Sequence, residues 1–166
     1  MINAIAALDE ERGIGRRGEL LWRIPGEQKR FKTLTMGHPI ILGRQTFETD
    51  TKRPLPGRTN IVITRNPGYS AEGIVVAHSV EEALQQAQAA PGADEIFVIG
   101  GQKVFSEMLP RVGRLYLTLV EGTYGADTFF PDYTQHFTEM SREQHQVEEF
   151  NFAYVTFERD ADAQVT

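Results

Sequence analysis

Apolar residues gather in short runs that Gly, Pro or charged residues close off, and the runs are too short for helices. Ile2–Leu8 and residues 39–42, 60–64, 74–77 and 96–99 read as strands. In Ile61-Val62-Ile63 and Phe97-Val98-Ile99 every position is apolar. Because strand side chains alternate between faces, such runs are buried on both sides, the habit of parallel sheets. Helical signals fall between the strands. Ser79 followed three residues later by Glu82 forms a capping box and predicts a helix through Ala90, stopped by Pro91-Gly92. Val104, Phe105, Met108 and Leu109 lie on one stripe of a helix that begins near Gln102 and ends at Pro110. Pro25, suited to a first helical position, opens a third that ends before Gly37.

After Gly113 the pattern changes. Residues 115–120 form a strand, and residues 150–158 form another with residues 144–149 as hairpin partner. The succession predicts a single-domain α/β fold with a mixed, mostly parallel sheet flanked by helices and an antiparallel C-terminal hairpin. The domain spans residues 1–159. Residues 160–166 are polar and small and form a tail expected to fray.

Composition narrows the possibilities. A chain of 166 residues with 40% hydrophobic side chains can bury one sizeable core without staples. The net charge of −6 argues against a nucleic-acid partner but leaves room for a small anion held by a few arginines. With no cysteine there is no disulfide scaffold, thiolate zinc site or cysteine nucleophile. Residues 1–8 lack a basic flank and are closed by Asp9-Glu10-Glu11-Arg12, so no export signal is expected. No run approaches the ~18 apolar residues of a spanning helix, and the expectation is a cytoplasmic protein with no membrane partner. Histidines 38, 78, 136 and 145 show no ligand spacing, so no metal is expected.

Gly13-Ile14-Gly15-Arg16-Arg17-Gly18 matches G-x-G-x-x-G. A dinucleotide fingerprint must leave a strand directly and open a helix. Here four charged residues intervene and Pro25 follows too soon, so a glycine-rich lid loop is the better reading. Ile99-Gly100-Gly101-Gln102 stands where a buried strand gives way to a helix, which suits a phosphate or an ordinary tight turn equally. Ile41-Leu42-Gly43-Arg44-Gln45-Thr46 and Ile63-Thr64-Arg65 end two more strands in hydroxyls and arginines. Three such ends favour an anionic ligand with several phosphates. Glu27 beside the single Trp22 reads, on its own, as favourable charge in a helix's first turn. No G-x-S-x-G elbow or P-loop is present.

Taken in order, these segments resemble dihydrofolate reductase. The motifs are Ile5-Ala6-Ala7, Gly13-Ile14-Gly15, Leu21-Trp22-Arg23-Ile24-Pro25, Gly43-Arg44-Gln45-Thr46-Phe47-Glu48, Arg53-Pro54-Leu55-Pro56-Gly57-Arg58, Ile99-Gly100-Gly101, Leu115-Tyr116-Leu117-Thr118 and Asp127-Thr128-Phe129-Phe130-Pro131. The likeness runs from Ile2 to about Arg159. It implies an eight-stranded sheet and hydride transfer from NADPH to C6 of 7,8-dihydrofolate with protonation at N5. It also implies binding of antifolate inhibitors and a monomeric protein.

Under that resemblance Glu27 is the pocket acid that grips the pterin, Thr118 supports it, Trp22 positions a water and Leu20 tips the lid of residues 10–21. Ile5, Ala6, Gln28, Phe31, Arg53, Leu55, Arg58 and Ile99 complete the substrate side, Arg58 on the glutamate α-carboxylate. The cofactor side is Ala7, Gly13, Ile14, Gly15, Gly18, Glu19, Gly43, Arg44, Gln45, Thr46, Thr64, Arg65, His78, Ile99, Gly100, Gly101, Gln102, Lys103, Val104 and Phe105. Arg44 and Arg65 would hold the 2′-phosphate, so NADPH is favoured over NADH. The chain departs from the family pattern in several places. Glu27 stands where many bacterial members have Asp, Gln28 replaces an apolar neighbour, and Phe105 replaces a frequent Tyr. Thr49-Asp50-Thr51-Lys52 is longer and more polar than usual. Two other readings share parts of this pattern. The pyrimidine reductase of riboflavin synthesis would not need Glu27, Thr118 and Arg58 together, and a non-catalytic binding module would need no acid.

Overall fold

A computed structural model describes residues 1–161. In chain order the elements are β1 (Ile2–Leu8), β2 (Gly13–Arg16), β3 (Glu19–Leu20), α1 (Glu27–Thr35), β4 (Ile40–Gly43), α2 (Arg44–Thr46), β5 (Asn60–Ile63), β6 (Val75–Ala77), α3 (Val80–Gln88), β7 (Ile96–Gly100), α4 (Gln102–Met108), β8 (Arg114–Val120), β9 (Thr128–Phe129), β10 (Phe137–Val147) and β11 (Phe150–Arg159). Eight strands form one sheet in the order β10-β11-β8-β1-β7-β4-β5-β6, and only the ladders of β11 with β8 and β10 are antiparallel. This is the mixed, mostly parallel sheet with an antiparallel C-terminal hairpin that the apolar runs predict.

Adjacent residues of the apolar runs serve opposite faces. Ala4, Ile41 and Val98 join Ala83, Ala87, Val104 and Met108 from α3 and α4 in the main core. Ile5, Ile40 and Phe97 face the other way, where Phe31 and Leu34 of α1 cover them. Burial of both faces is the reason β1, β4 and β7 show no polar alternation.

Several boundaries differ from the sequence reading. Pro25 lies outside α1, which starts at Glu27 behind Gly26 in a left-handed conformation (φ 90°). Helix α3 stops at Gln88 rather than Ala90, though Ser79 caps it as expected, its hydroxyl accepting from the Glu82 N–H at 3.0 Å. Pro110 falls inside a 3-10 turn, Leu109–Arg111, that continues α4. The helix after Gly43 is a single turn, followed by a wider π-type turn over Phe47–Thr51. Strand β10 runs eleven residues and is mostly exposed, so no apolar alternation announced its length, and Glu149 sits in the turn beyond it. Residues 10–21 are not a bare loop, since β2 and β3 join β9 in a separate three-stranded sheet. In the expected tail, Asp160 is tied down by its N–H, which donates to the His136 carbonyl at 2.9 Å. Residues 162–166 lie outside the described residues.

Candidate active site

A cleft of about 1380 Å³ opens at the carboxyl ends of β1, β4, β5 and β7. That is where open α/β sheets present their loops to ligands. The ladder between β4 and β7 slips between Ile41 and Leu42, where Leu42 pairs with Gly100 at the end of β7.

One end of the cleft is an acid in an apolar wall. Glu27, the first residue of α1, accepts a hydrogen bond from the Thr118 hydroxyl of β8 at 2.7 Å. Thr118 is itself fully buried, so it reaches the site only through that carboxylate. Burial pushes the Glu27 carboxyl above its ordinary range, while the Thr118 hydroxyl and the Arg30 charge oppose the rise. The other carboxylate oxygen, Oε2, and the indole N–H of Trp22 are buried without a partner among the described residues. A buried polar atom left unpaired costs about 1–3 kcal/mol, so an unpaired acceptor and an unpaired donor lining one cleft mark where a ligand's own polar edge fits. Ile5, Ala6, Phe31, Leu55 and Ile99 supply the flat apolar walls beside them. Farther out, Arg58 is held in place by donating to the Thr35 hydroxyl and the Pro56 carbonyl, each at 3.0 Å. Thr35 in turn donates to the Phe31 carbonyl at 2.8 Å, which ties the arginine to α1.

The other end is built from strand ends. Gly43 ends β4 and Arg44, Gln45 and Thr46 follow it, Thr64 and Arg65 follow β5, and Gly101 to Phe105 follow β7. A Cβ on Gly101 would come within 3.2 Å of the Thr46 hydroxyl, and one on Gly43 within 3.3 Å of Val104. A Cβ on Gly43 would also lie 4.0 Å from the Gly101 nitrogen, so the two backbones approach closely. Arg44 and Arg65 also line this end, Arg44 3.4 Å from Glu48 and over the Tyr69 ring. His78 is tied by its ring to the Thr64 carbonyl at 2.8 Å. This set of close backbones, hydroxyls and two arginines fits a nucleotide with several phosphates.

Ile14, Gly15, Gly18, Glu19 and Leu20 line the cleft from the small sheet, Leu20 with 64% of its surface exposed. That sheet is anchored from the far side: the Arg17 N–H donates to Asp127 at 2.9 Å, and the Gln102 side-chain carbonyl accepts from the Phe129 N–H at 2.7 Å.

Most residues expected at the site converge on this cleft, including Ala7, Gln28, Arg53 and Lys103. Two do not line it. Gly13 donates its N–H to Asp9 at 2.7 Å, and its α-carbon packs against Ala126, so it shapes the lid rather than the cleft. Gly100 has the Phe105 ring over the position a Cβ would take, which closes it off.

A family model for dihydrofolate reductase matches residues 1–159. The chain is 40% identical to dihydrofolate reductase type 3 of Salmonella typhimurium over 91% of both chains. The chain belongs to the dihydrofolate reductase family. It is also 41% identical to dihydrofolate reductase of Staphylococcus aureus over 80% of this chain and 79% of that one. A solved dihydrofolate reductase from Enterococcus faecalis, complexed with NADP(H) and RAB-propyl, superposes with a TM-score of 0.88 at 40% identity, covering 96% of each chain.

Beyond the expected residues, this dihydrofolate reductase cleft is also lined by Ile24, Lys32, Thr49, Asp50, Thr51, Ile63, Ser79, Val80, Glu81, Glu107, Arg111 and Thr128. Lys32 could have been found from Gln28, four residues before it on the same helical face. Asp50 is half-buried with its carboxyl pushed up chiefly by burial, and Glu19 on the lid adds to the rise. The longer 49–52 stretch pointed to that edge without fixing which side chains would turn inward.

Proposed function

We propose that this chain reduces 7,8-dihydrofolate to tetrahydrofolate with NADPH, using Glu27 as the acid of the pterin pocket. The observation that carries the reading is the Glu27 corner itself. Its Oε1 is bound by Thr118, its Oε2 is buried and unpaired, and the pocket raises its proton affinity. A carboxyl of that kind can face an amino group and ring N–H, and it stays protonated to a higher pH than an exposed one.

NADPH supplies the hydride when bound. The chain's residues do the rest. Glu27 fixes the pterin edge and favours protonation at N5, with Trp22 holding a water beside it. Ile5, Phe31, Leu55 and Ile99 hold the rings flat and dry, and Arg58, already braced by Thr35, takes the glutamate carboxylate. Arg44 and Arg65 take the 2′-phosphate, while Gly43, Thr46 and Gly101 let the backbone approach the remaining phosphates. Leu20 and the small sheet of β2, β3 and β9 cover the nicotinamide and keep out water. The pyrimidine reductase reading leaves Glu27, Thr118 and Arg58 together without a purpose, and a binding module leaves the acid without one.

Glu27→Gln tests the reading. General-acid assistance contributes about 10²–10⁴-fold, so turnover should fall by that order near neutral pH and recover partly in acid, where solvent protonates N5 directly. A Glu27→Gln protein with near wild-type turnover at neutral pH would overturn the assignment.

A further inference from the structure

One half-buried cation near Glu27 has no role in the chemistry so far. Arg30 stands three residues beyond Glu27 on the same face of α1. Its guanidinium carbon lies 4.1 Å from the centroid of the Tyr154 ring on β11. Tyr154 is the register partner of Thr118 on β8 and of Glu143 on β10. Directly paired residues share a sheet face, so Glu143, Tyr154 and Thr118 form one row across three strands. Successive strands are about 4.8 Å apart and residues three apart on a helix about 5–6 Å, so α1 can step along that row. Glu27 meets Thr118, and Arg30 meets Tyr154.

The charged and titratable groups around Arg30 come from four elements. Glu27 faces it from α1, Tyr154 from β11, Glu143 from β10 and Tyr116 from β8. Beyond these, the His145 ring lies 4.8 Å from that of Tyr154, with Nε2 3.0 Å from the Glu143 carboxylate. Arg114 donates to the Tyr116 hydroxyl at 3.2 Å and pairs with Glu158. Among the described residues Arg30 has no ion-pair contact of its own, so its charge acts through space on the carboxylates on either side. The aromatic face holds it there.

We propose that Arg30, clamped on Tyr154, is a positioning residue for the reduction: its fixed charge holds down the proton affinity of Glu27 and so sets the pH range in which the pocket acid works. Burial alone pushes the Glu27 carboxyl up, and Arg30 is among the groups that oppose it. Glu143, on the far side of Arg30, weakens that opposition. The inference rests on Glu27 being the pocket acid, as proposed above.

The test is the pH dependence of single-turnover NADPH oxidation with saturating dihydrofolate, in the full chain carrying Arg30→Met, Arg30→Lys, Glu143→Gln or Glu27→Gln. Arg30→Met should move the alkaline fall-off in rate upward by about one pH unit, and Arg30→Lys should leave it within a fraction of a unit of wild type. Glu143→Gln should move it the other way, by less. The Glu143 side chain is 73% exposed, so that variant keeps its fold. A merely structural role for Arg30 would lower the rate at every pH without moving the fall-off. An unmoved fall-off in Arg30→Met, an equal shift in Arg30→Lys, or shifts of the same sign in Arg30→Met and Glu143→Gln would overturn the proposal. Glu27→Gln should lose the wild-type midpoint and keep only the rise into acid that direct protonation of N5 by solvent gives. If the wild-type midpoint persists there, it belongs to another group, and the assignment of Glu27 fails together with this one.

Discussion

Thr118→Val removes one hydroxyl from a fully buried site and keeps its shape, so its effect falls almost wholly on Glu27. The carboxylate then loses the 2.7 Å donor on Oε1 while Oε2 already has no partner. A hydrogen bond to a charged group is worth about 1.5–3 kcal/mol, and one to the neutral acid about 0.5–1.5 kcal/mol. The difference is on the order of 1.4 kcal/mol, or about one pKa unit, in the direction that favours the protonated acid. Two results follow. The alkaline fall-off of activity should move upward by about one unit. Stability should acquire a steeper pH dependence, because the folded Glu27 carboxyl already titrates above its ordinary value of 4.5. A raised folded pKa means the fold holds the proton more tightly than the unfolded chain. The associated stability is full below 4.5 and lost as pH rises through the folded value. Thr118→Val should therefore cost about 1.5–3 kcal/mol at neutral pH and roughly half as much in acid. Urea unfolding at a series of pH values, beside the activity profile, measures both. A loss that is the same at acid and neutral pH, with an unmoved profile, would show that the Thr118 hydroxyl does not tune Glu27.

Replacing Arg44 and Arg65 by Ala should weaken NADPH by about tenfold or more per arginine while changing NADH little, read from the two Michaelis constants. Equal losses for both cofactors would show that the arginines serve something else. Glu27→Asp/Gln28→Leu shortens the acid by one methylene and replaces the polar rim residue, so trimethoprim should bind at least tenfold tighter, about 1.4 kcal/mol, with activity retained. An unchanged inhibition constant would clear these two residues of any part in inhibitor affinity. Gly92→Ala should destabilise the fold by several kcal/mol, since its Cβ would meet the Gly37 carbonyl oxygen at 1.8 Å from a backbone at φ 73°. Thermal unfolding at a temperature near wild type would contradict this.

The legible parts of the fold were those where one local rule decides. Ser79 and Glu82 mark a cap whatever lies around them, and Ile61-Val62-Ile63 can only be a strand covered on both sides. Pro25 misled because Gly26 starts the helix from a left-handed backbone, which no spacing announces. The length of β10 was hidden because an exposed edge strand has no apolar face to alternate. At the site, Glu27, Thr118 and Arg58 came from the family likeness, since residues 91 apart in sequence meet only through the register of β8 and the placement of α1. The row of Glu143, Tyr154 and Thr118 needs two ladder registers at once, and neither follows from periodicity. Gly13 is on the cofactor side only by the family likeness, and the glycine motif does not say which glycine faces the cleft.

Hydride transfer from this cleft to the folate ring can be followed by mixing the protein with dihydrofolate and NADPH carrying deuterium at the transferable nicotinamide position, then locating the label by mass spectrometry and proton NMR. Tetrahydrofolate should carry deuterium at C6, formed in proportion to the NADPH oxidised and lost together with turnover in Glu27→Gln. Oxidation of NADPH without labelled tetrahydrofolate, or undiminished labelling in Glu27→Gln at neutral pH, would contradict it.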